Sequence, residues 1–189
     1  KGNLFNAPET YMNKIATGKI DKGLIDLDFS IEKNIKNLSD FKNKSISSVR
    51  ACILDRPRHK KIIDKLKDLD VKIKLIKDGD VLGALYVSDP KYDVDIFIGI
   101  GGGPEGVIAA SALDAYDCHF QGRFIFDNDK DIQDAKKMGI SDLNKKYDLN
   151  EIVKGDSIFC ATGITNSEVL KGIRTNDNKY ISETLVTHK

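Results

Sequence analysis

The sequence predicts a layered α/β sandwich, with helices on both faces of a central sheet, and three observations support it. Val49, Ala51, Cys52, Ile53 and Leu54 form a nearly unbroken apolar run, the pattern of a strand covered on both faces. Ile62, Ile63, Leu66 and Leu69 then line one face of a helix whose other face carries lysine and aspartate. Val71, Ile73 and Leu75 return to a strand and complete a βαβ unit. The alternation repeats through a helix over residues 80–86 and a strand carrying Val94, Ile96, Phe97, Ile98 and Ile100, as the layered class requires.

The other elements follow in chain order. Residues 7–17 are expected to be helical, with Pro8 near the start, Gly18 just past the end, and Tyr11, Met12 and Ile15 as the apolar positions. Ser30 is placed to cap a helix running to about Leu38. A turn occupies residues 55–59, and glycines end the next strand at Gly101. After Pro104 the residues Val107, Ile108, Ala109, Ala110, Ala112 and Leu113 are apolar nearly all round, which predicts a buried helix. Strands at 119–126 and 157–161, a polar helix at 129–137 and a terminal strand at 180–186 complete the sandwich. No repeat, low-complexity tract or linker marks a second domain, so residues 1–189 read as one domain or a large part of one.

Composition excludes several function classes. A chain of 189 residues, 40% hydrophobic and 31% charged, has the material for a sizeable core. Thirty Lys and Arg against twenty-nine Asp and Glu leave a net charge of +1, too little to hold nucleic acid or an anionic membrane, so any anion site must be local. No apolar run nears the ~20 residues of a membrane span. Cys52, Cys118 and Cys160 sit in apolar, strand-like contexts with no CxxC spacing, and are expected to be buried free thiols of a cytoplasmic protein. His59, His119 and His188 lack zinc-ligand spacing. The chain opens on Lys1 rather than Met, without a tag or targeting pattern in residues 1–7, and is expected to lack its start.

Three turns fall at the ends of predicted strands, where open α/β sheets bind ligands. Arg56-Pro57-Arg58-His59 is a stiff, doubly cationic turn whose guanidinium forks suit phosphate oxygens. The plain alternative is a solvated basic helix start, although cations are ill-placed at a positive helix N-terminus. Asp78-Gly79-Asp80 offers carboxylates that accept hydrogen bonds from sugar hydroxyls, or else is a turn with an Asp cap. Gly101-Gly102-Gly103-Pro104-Glu105-Gly106 lets a ligand approach the backbone at a helix N-terminus. It also satisfies GxGxxG, raising an NAD-dependent oxidoreductase as a rival. Against that rival, Pro104 removes a backbone donor and Glu105 puts a negative charge where a pyrophosphate should rest. A bridging Mg²⁺ or Mn²⁺ would reconcile Glu105 with a phosphate; the alternative is a favourable first-turn acid above a tight turn. Tyr11, read alone, is more often a core residue than a ligand.

Taken together these residues resemble the class II fructose-1,6-bisphosphatases, a family that includes bifunctional fructose/sedoheptulose-bisphosphatases. The resemblance covers essentially the whole chain: Asn6-Ala7-Pro8 with Tyr11-Met12, Asp55 to His59, Ile76 to Val81, Gly99 to Gly106, Gln121-Gly122-Arg123, Met138-Gly139-Ile140, and Ala161 to Thr165. It implies the sandwich of the inositol monophosphatase/fructose-bisphosphatase-like superfamily, with the N-terminal portion of that fold absent. It further implies that Tyr11, Arg56, Pro57, Arg58, Asp78, Gly79, Asp80 and Gly102 contact the sugar bisphosphate, while Glu105 is catalytic and ligates Mn²⁺ or Mg²⁺. The reaction implied is hydrolysis of the 1-phosphate of fructose 1,6-bisphosphate, in gluconeogenesis and glycerol metabolism, by a cytoplasmic homo-oligomer, dimer or tetramer when complete. This chain departs from the family's usual residues with Arg56 for Lys, Gly103 for Ala, and Asn166-Ser167 for Asp-Gly. Family members also carry a preceding region of roughly a hundred residues, on the scale of a domain, that supplies most metal-binding carboxylates. Without it, a catalytically incomplete sugar-phosphate-binding fragment is the alternative.

Overall fold

A computed structural model describes residues 2–189. Six strands, Tyr11–Thr17 (β1), Arg50–Leu54 (β2), Lys72–Ile76 (β3), Ile96–Gly102 (β4), His119–Ile125 (β5) and Tyr147–Asp148 (β6), form the central sheet in the order β3-β2-β4-β1-β5-β6. β2 runs parallel to β3 and β4, whereas β1 is antiparallel to both β4 and β5. The sheet is therefore mixed, and the C-terminal ends of β2, β3, β4 and β5 share one edge with the N-terminal end of β1.

Helices cover both faces, as the apolar strand runs require. Ile31–Phe41 (α1) and Lys60–Asp68 (α2) contribute Ile35, Leu38 and Leu66 against Ile15, Ala51, Ile96 and Ile98. On the other face Asp80–Leu85 (α3) and Gly103–Asp114 (α4) bury Ala84, Leu85, Val107 and Leu113 against Met12, Ala16, Phe97 and Phe120. Each fully buried Ile, Leu or Phe contributes about 1.5–3 kcal/mol through removal from water. Ser30 caps α1 by accepting the Lys33 N–H, as its position predicts. α4 is buried nearly all round, with Ile108 the large exception at 43% exposure. The polar helix Asp129–Lys137 (α5) falls where expected, and the short Leu149–Ile152 (α6) is set by a capping box of Asp148 and Glu151 that the sequence reading passed over.

Three expectations are corrected. Residues 7–17 do not form a helix; β1 is the strand between β4 and β5, with Met12, Lys14 and Ala16 facing α3 and α4 and Ile15 facing α1. The apolar positions looked helical because Lys14, charged yet only 1% exposed, fills a slot that a strand pattern would assign to a hydrophobe. Pro8 and Gly18 bound a strand as readily as a helix. The terminal segment is two strands, Lys179–Ile181 and Thr184–His188, rather than one. In chain order, Ile158–Thr162 (β7), Arg174–Asn176 (β8), Lys179–Ile181 (β9) and Thr184–His188 (β10) make two outlying two-stranded sheets, β10-β7 and β8-β9, outside the sandwich layer. Cys160 is exposed, since it lies on the open side of β7, while Cys52 and Cys118 are buried and all three are free. Among the described residues no helix is long and apolar enough to cross a membrane.

Candidate functional site

The topology of the sheet fixes where a ligand can enter. β2 leads through α2 on one face to β3 at its side, whereas β4 leads into α4 on the opposite face. Loops leaving adjacent parallel strands in opposite directions open a crevice at their C-terminal ends, the usual ligand position in such sheets. Here that position is where the turn after β2 meets the glycine run ending β4. The ladder between these strands is recorded at only two pairs, Ala51 with Ile96 and Cys52 with Phe97. Beyond it the imidazole of His59, fully buried, spans the gap. His59 Nε2 accepts the Ile100 N–H at 2.8 Å, which leaves the proton on Nδ1 to donate to the Leu54 carbonyl at 2.7 Å. Burial first, and then Arg58 and Arg56 nearby, hold its pKa below the ordinary value.

The arginine turn is built by Pro57, which starts a short helical turn after extended Arg56, the conformation favoured before proline. Arg58 Nε donates to the Ile100 carbonyl at 2.9 Å, and its guanidinium carbon lies 4.9 Å from the centroid of the Tyr11 ring. The terminal amino groups of Arg58 make no hydrogen bond among the described residues, so they remain available to an anion. Arg56 points instead to the neighbouring turn, donating to Asp78 Oδ1 at 2.6 Å. Tyr11 is 44% exposed and lies outside the core.

Gly79 sits in the left-handed region at φ +83°, where a side chain would be strained, and turns the chain into α3 so that Asp80 faces inward. Asp80 is ion-paired with Lys14 of β1. Burial pushes the Lys14 pKa down, outweighing the opposite pull of Asp80. The sequence reading did not single out Lys14; the signal that could have found it is a lysine two residues from an apolar residue on each side, Met12 and Ala16, on one face of a strand.

The glycine run has a different use from the one expected. A methyl group on Gly101 would collide with the Asp80 carboxylate and approach Lys14 Nζ to 3.1 Å. One on Gly102 would lie 2.7 Å from Glu105 Cδ, and one on Gly106 would lie 2.5 Å from Met12 Sδ and 3.3 Å from Lys14 Cε. The missing side chains therefore make room for the protein's own charged groups, with Glu105 folded back over Gly102. Gly103 is likewise crowded, by Phe124 at 2.8 Å and the Pro8 carbonyl at 3.0 Å, so the glycine found here instead of alanine fits its packing.

Tyr11, Gly102 and Glu105 line a cavity of about 510 Å³, within the size range of small-molecule sites. Arg58 packs on the Tyr11 ring, Asp80 lies beneath Gly101, and Arg56 pairs with Asp78 in the turn that holds Gly79; these residues and Pro57 do not line the cavity. Glu9, Asp127 and Asp131, which the sequence reading missed, also line it. Asp127 could have been found, since it follows a predicted strand whose C-terminal end shares the ligand edge. As a cation site the set is incomplete: among the described residues no three His, Cys, Asp or Glu side chains are grouped to hold a metal ion. Glu105 can offer one carboxylate ligand, and Asp80 is engaged by Lys14.

A family model described as bacterial fructose-1,6-bisphosphatase, glpX-encoded, matches residues 1–189. A fructose-1,6-bisphosphatase class 2 from Haemophilus influenzae is 35% identical over 199 residues, covering 98% of this chain and 60% of the relative. A D-fructose 1,6-bisphosphatase class 2/sedoheptulose 1,7-bisphosphatase from a Synechocystis species is also 35% identical, over 187 residues, covering 92% of this chain and 54% of the relative. The chain thus spans between 54% and 60% of the length of these curated relatives.

Proposed function

The chain belongs to the bacterial, glpX-encoded fructose-1,6-bisphosphatase family, and from that premise we propose that it forms the substrate-binding part of an enzyme hydrolysing the 1-phosphate of fructose 1,6-bisphosphate to fructose 6-phosphate. The observation that supports the reading is the proximity of the three turns: Arg58 bonds the Ile100 carbonyl and packs on Tyr11, Arg56 pairs with Asp78, Asp80 lies beneath Gly101 and Glu105 over Gly102. In this reading Arg58, helped by Arg56, holds the distal phosphate through charge-assisted hydrogen bonds. Asp78 and Asp80 accept sugar hydroxyls, Tyr11 and Gly102 bound the pocket, and Glu105 faces the reacting end. Binding at the distal phosphate orients the 1-phosphate, so remote contacts contribute to the rate as well as to affinity.

The family reading implies a divalent cation, Mn²⁺ or Mg²⁺, with Glu105 among its ligands. The carboxylates described here do not by themselves form its site: Glu9, Asp127 and Asp131 share the cavity with Glu105, but no three are grouped to hold an ion that takes six or more oxygen ligands. The superfamily sandwich, a role in gluconeogenesis and glycerol metabolism, and a homo-oligomeric state belong to the same proposal.

A full-length enzyme carrying this segment tests it by phosphate release from fructose 1,6-bisphosphate with either metal. Removing Glu105 as Glu105→Ala should cut turnover while leaving sugar-bisphosphate binding measurable by calorimetry. Arg58→Ala should instead raise KM about 10- to 100-fold, the worth of one charge-assisted hydrogen bond. Unchanged phosphate release in Glu105→Ala would remove the reading. Because the Synechocystis relative's name includes sedoheptulose 1,7-bisphosphate, that sugar belongs in the same assay. Binding without release by residues 1–189 alone would identify an incomplete substrate-binding unit, consistent with the lack, among the described residues, of three acids grouped to hold a metal ion.

A further inference from the structure

Lys14 presents a physical puzzle that neither the fold nor the substrate reading answers. It lies on the strand between β4 and β5, 1% exposed, between the Met12 and Ala16 side chains on the same face. Burying an ammonium there is costly, and a hydrophobe of similar shape, such as the Met already present at position 12, would generally serve packing as well or better. Its one hydrogen bond among the described residues goes to Asp80 Oδ2, leaving two of its three donors unused. Space for the pair is kept by two glycines, since a side chain on Gly101 would displace Asp80 and one on Gly106 would press on the Lys14 stem. Glu105 and Arg58 are close enough to act electrostatically on Lys14, which places it among all three turns.

Resting on the substrate reading above, we propose that Lys14 is a positioning residue of the sugar-hydroxyl subsite: its ammonium fixes Asp80 Oδ2 and leaves Oδ1 to accept a hydroxyl of the ketose. Asp80 begins a six-residue helix after a left-handed glycine and has little local structure to hold its rotamer. The lysine supplies the second point of attachment, from a strand anchored on both sides. A carboxylate so restrained is presented to the sugar in one orientation, and less rotamer freedom is lost when the hydroxyl binds.

Lys14→Met in a full-length enzyme tests the assignment, with Asp80→Asn and the double variant beside it. Phosphate release gives kcat and KM for fructose 1,6-bisphosphate, and thermal unfolding reports stability. The expected result is a KM raised about 10- to 100-fold by either single change, as for one lost hydrogen bond to a charged group, and no further rise in the double variant. A folded Lys14→Met enzyme with unchanged KM overturns the proposal, as does a double variant in which the two KM effects multiply. Should Lys14→Met fail to fold, Lys14→Gln, whose amide can still donate to Asp80, takes its place and must keep KM well below that of Asp80→Asn; a Lys14→Gln enzyme with KM as high as Asp80→Asn overturns the proposal. A parent enzyme that releases no phosphate from this sugar overturns the substrate reading instead, so the two failures are distinguishable.

Discussion

Replacing His59 with phenylalanine tests whether the crevice is held by the imidazole that spans it. Phenylalanine keeps a planar ring of similar reach in a site that is fully buried, so the main loss is two hydrogen bonds, to the Leu54 carbonyl at 2.7 Å and from the Ile100 N–H at 2.8 Å. Each buried group left without a partner costs about 1–3 kcal/mol, giving about 2–6 kcal/mol in total. The chain has no tryptophan, so urea unfolding is best followed by far-ultraviolet circular dichroism. The pH dependence supplies an independent check. Because burial lowers the folded-state pKa of His59, the unfolded chain binds its proton first as pH falls. The contribution is therefore fully present above about 6.5, the ordinary histidine value, and is lost as pH falls from there toward the depressed folded value. His119, also lowered by burial, contributes in the same direction, so the variant should lose part of the acid sensitivity and keep the rest. The groups facing His59 are the Arg56 and Arg58 cations of its own turn and, from β4, the uncharged backbone at Gly99 and Ile100. A loss below about 1 kcal/mol at about pH 8, or an unchanged slope of stability between about pH 7.5 and 5.5, would refute the reasoning.

Other outcomes follow from the same geometry. Gly101→Ala should destabilise by about 1–3 kcal/mol through overpacking against the Asp80 carboxylate, and adding Asp80→Ala should relieve part of that cost; chemical denaturation of the two variants and the pair measures it. An equal penalty with and without Asp80 would show that the crowding lies elsewhere. Cys160 should be alkylated in the native protein, whereas Cys52 and Cys118, buried and with thiol pKa pushed up to about 12, should react only on unfolding; mass spectrometry after timed labelling reads this directly. The tyrosine ring under Arg58 should contribute to its placement, so Tyr11→Leu should raise KM by about two- to fivefold, the worth of an exposed cation–π contact.

The amino-acid order alone makes the βαβ alternation from Val49 to Leu113 legible, because apolar runs and helical faces there obey local periodicities that survive folding. It also determined the three turns, since Pro57 restricts its own backbone, Gly79 takes the left-handed region, and the glycine run carries no side chains. Tertiary structure alone decided the rest. Residues 11–17 became a strand because β4 and β5 offer pairing on both edges, a non-local contact invisible in a seven-residue window. Lys14 entered the core because Asp80, 66 positions away, meets it there. The space left by Gly101 and Gly102 was legible as a motif, but its occupants, the side chains of Asp80 and Glu105, were not. Which atoms fill a void depends on where distant strands end, and no local pattern encodes that.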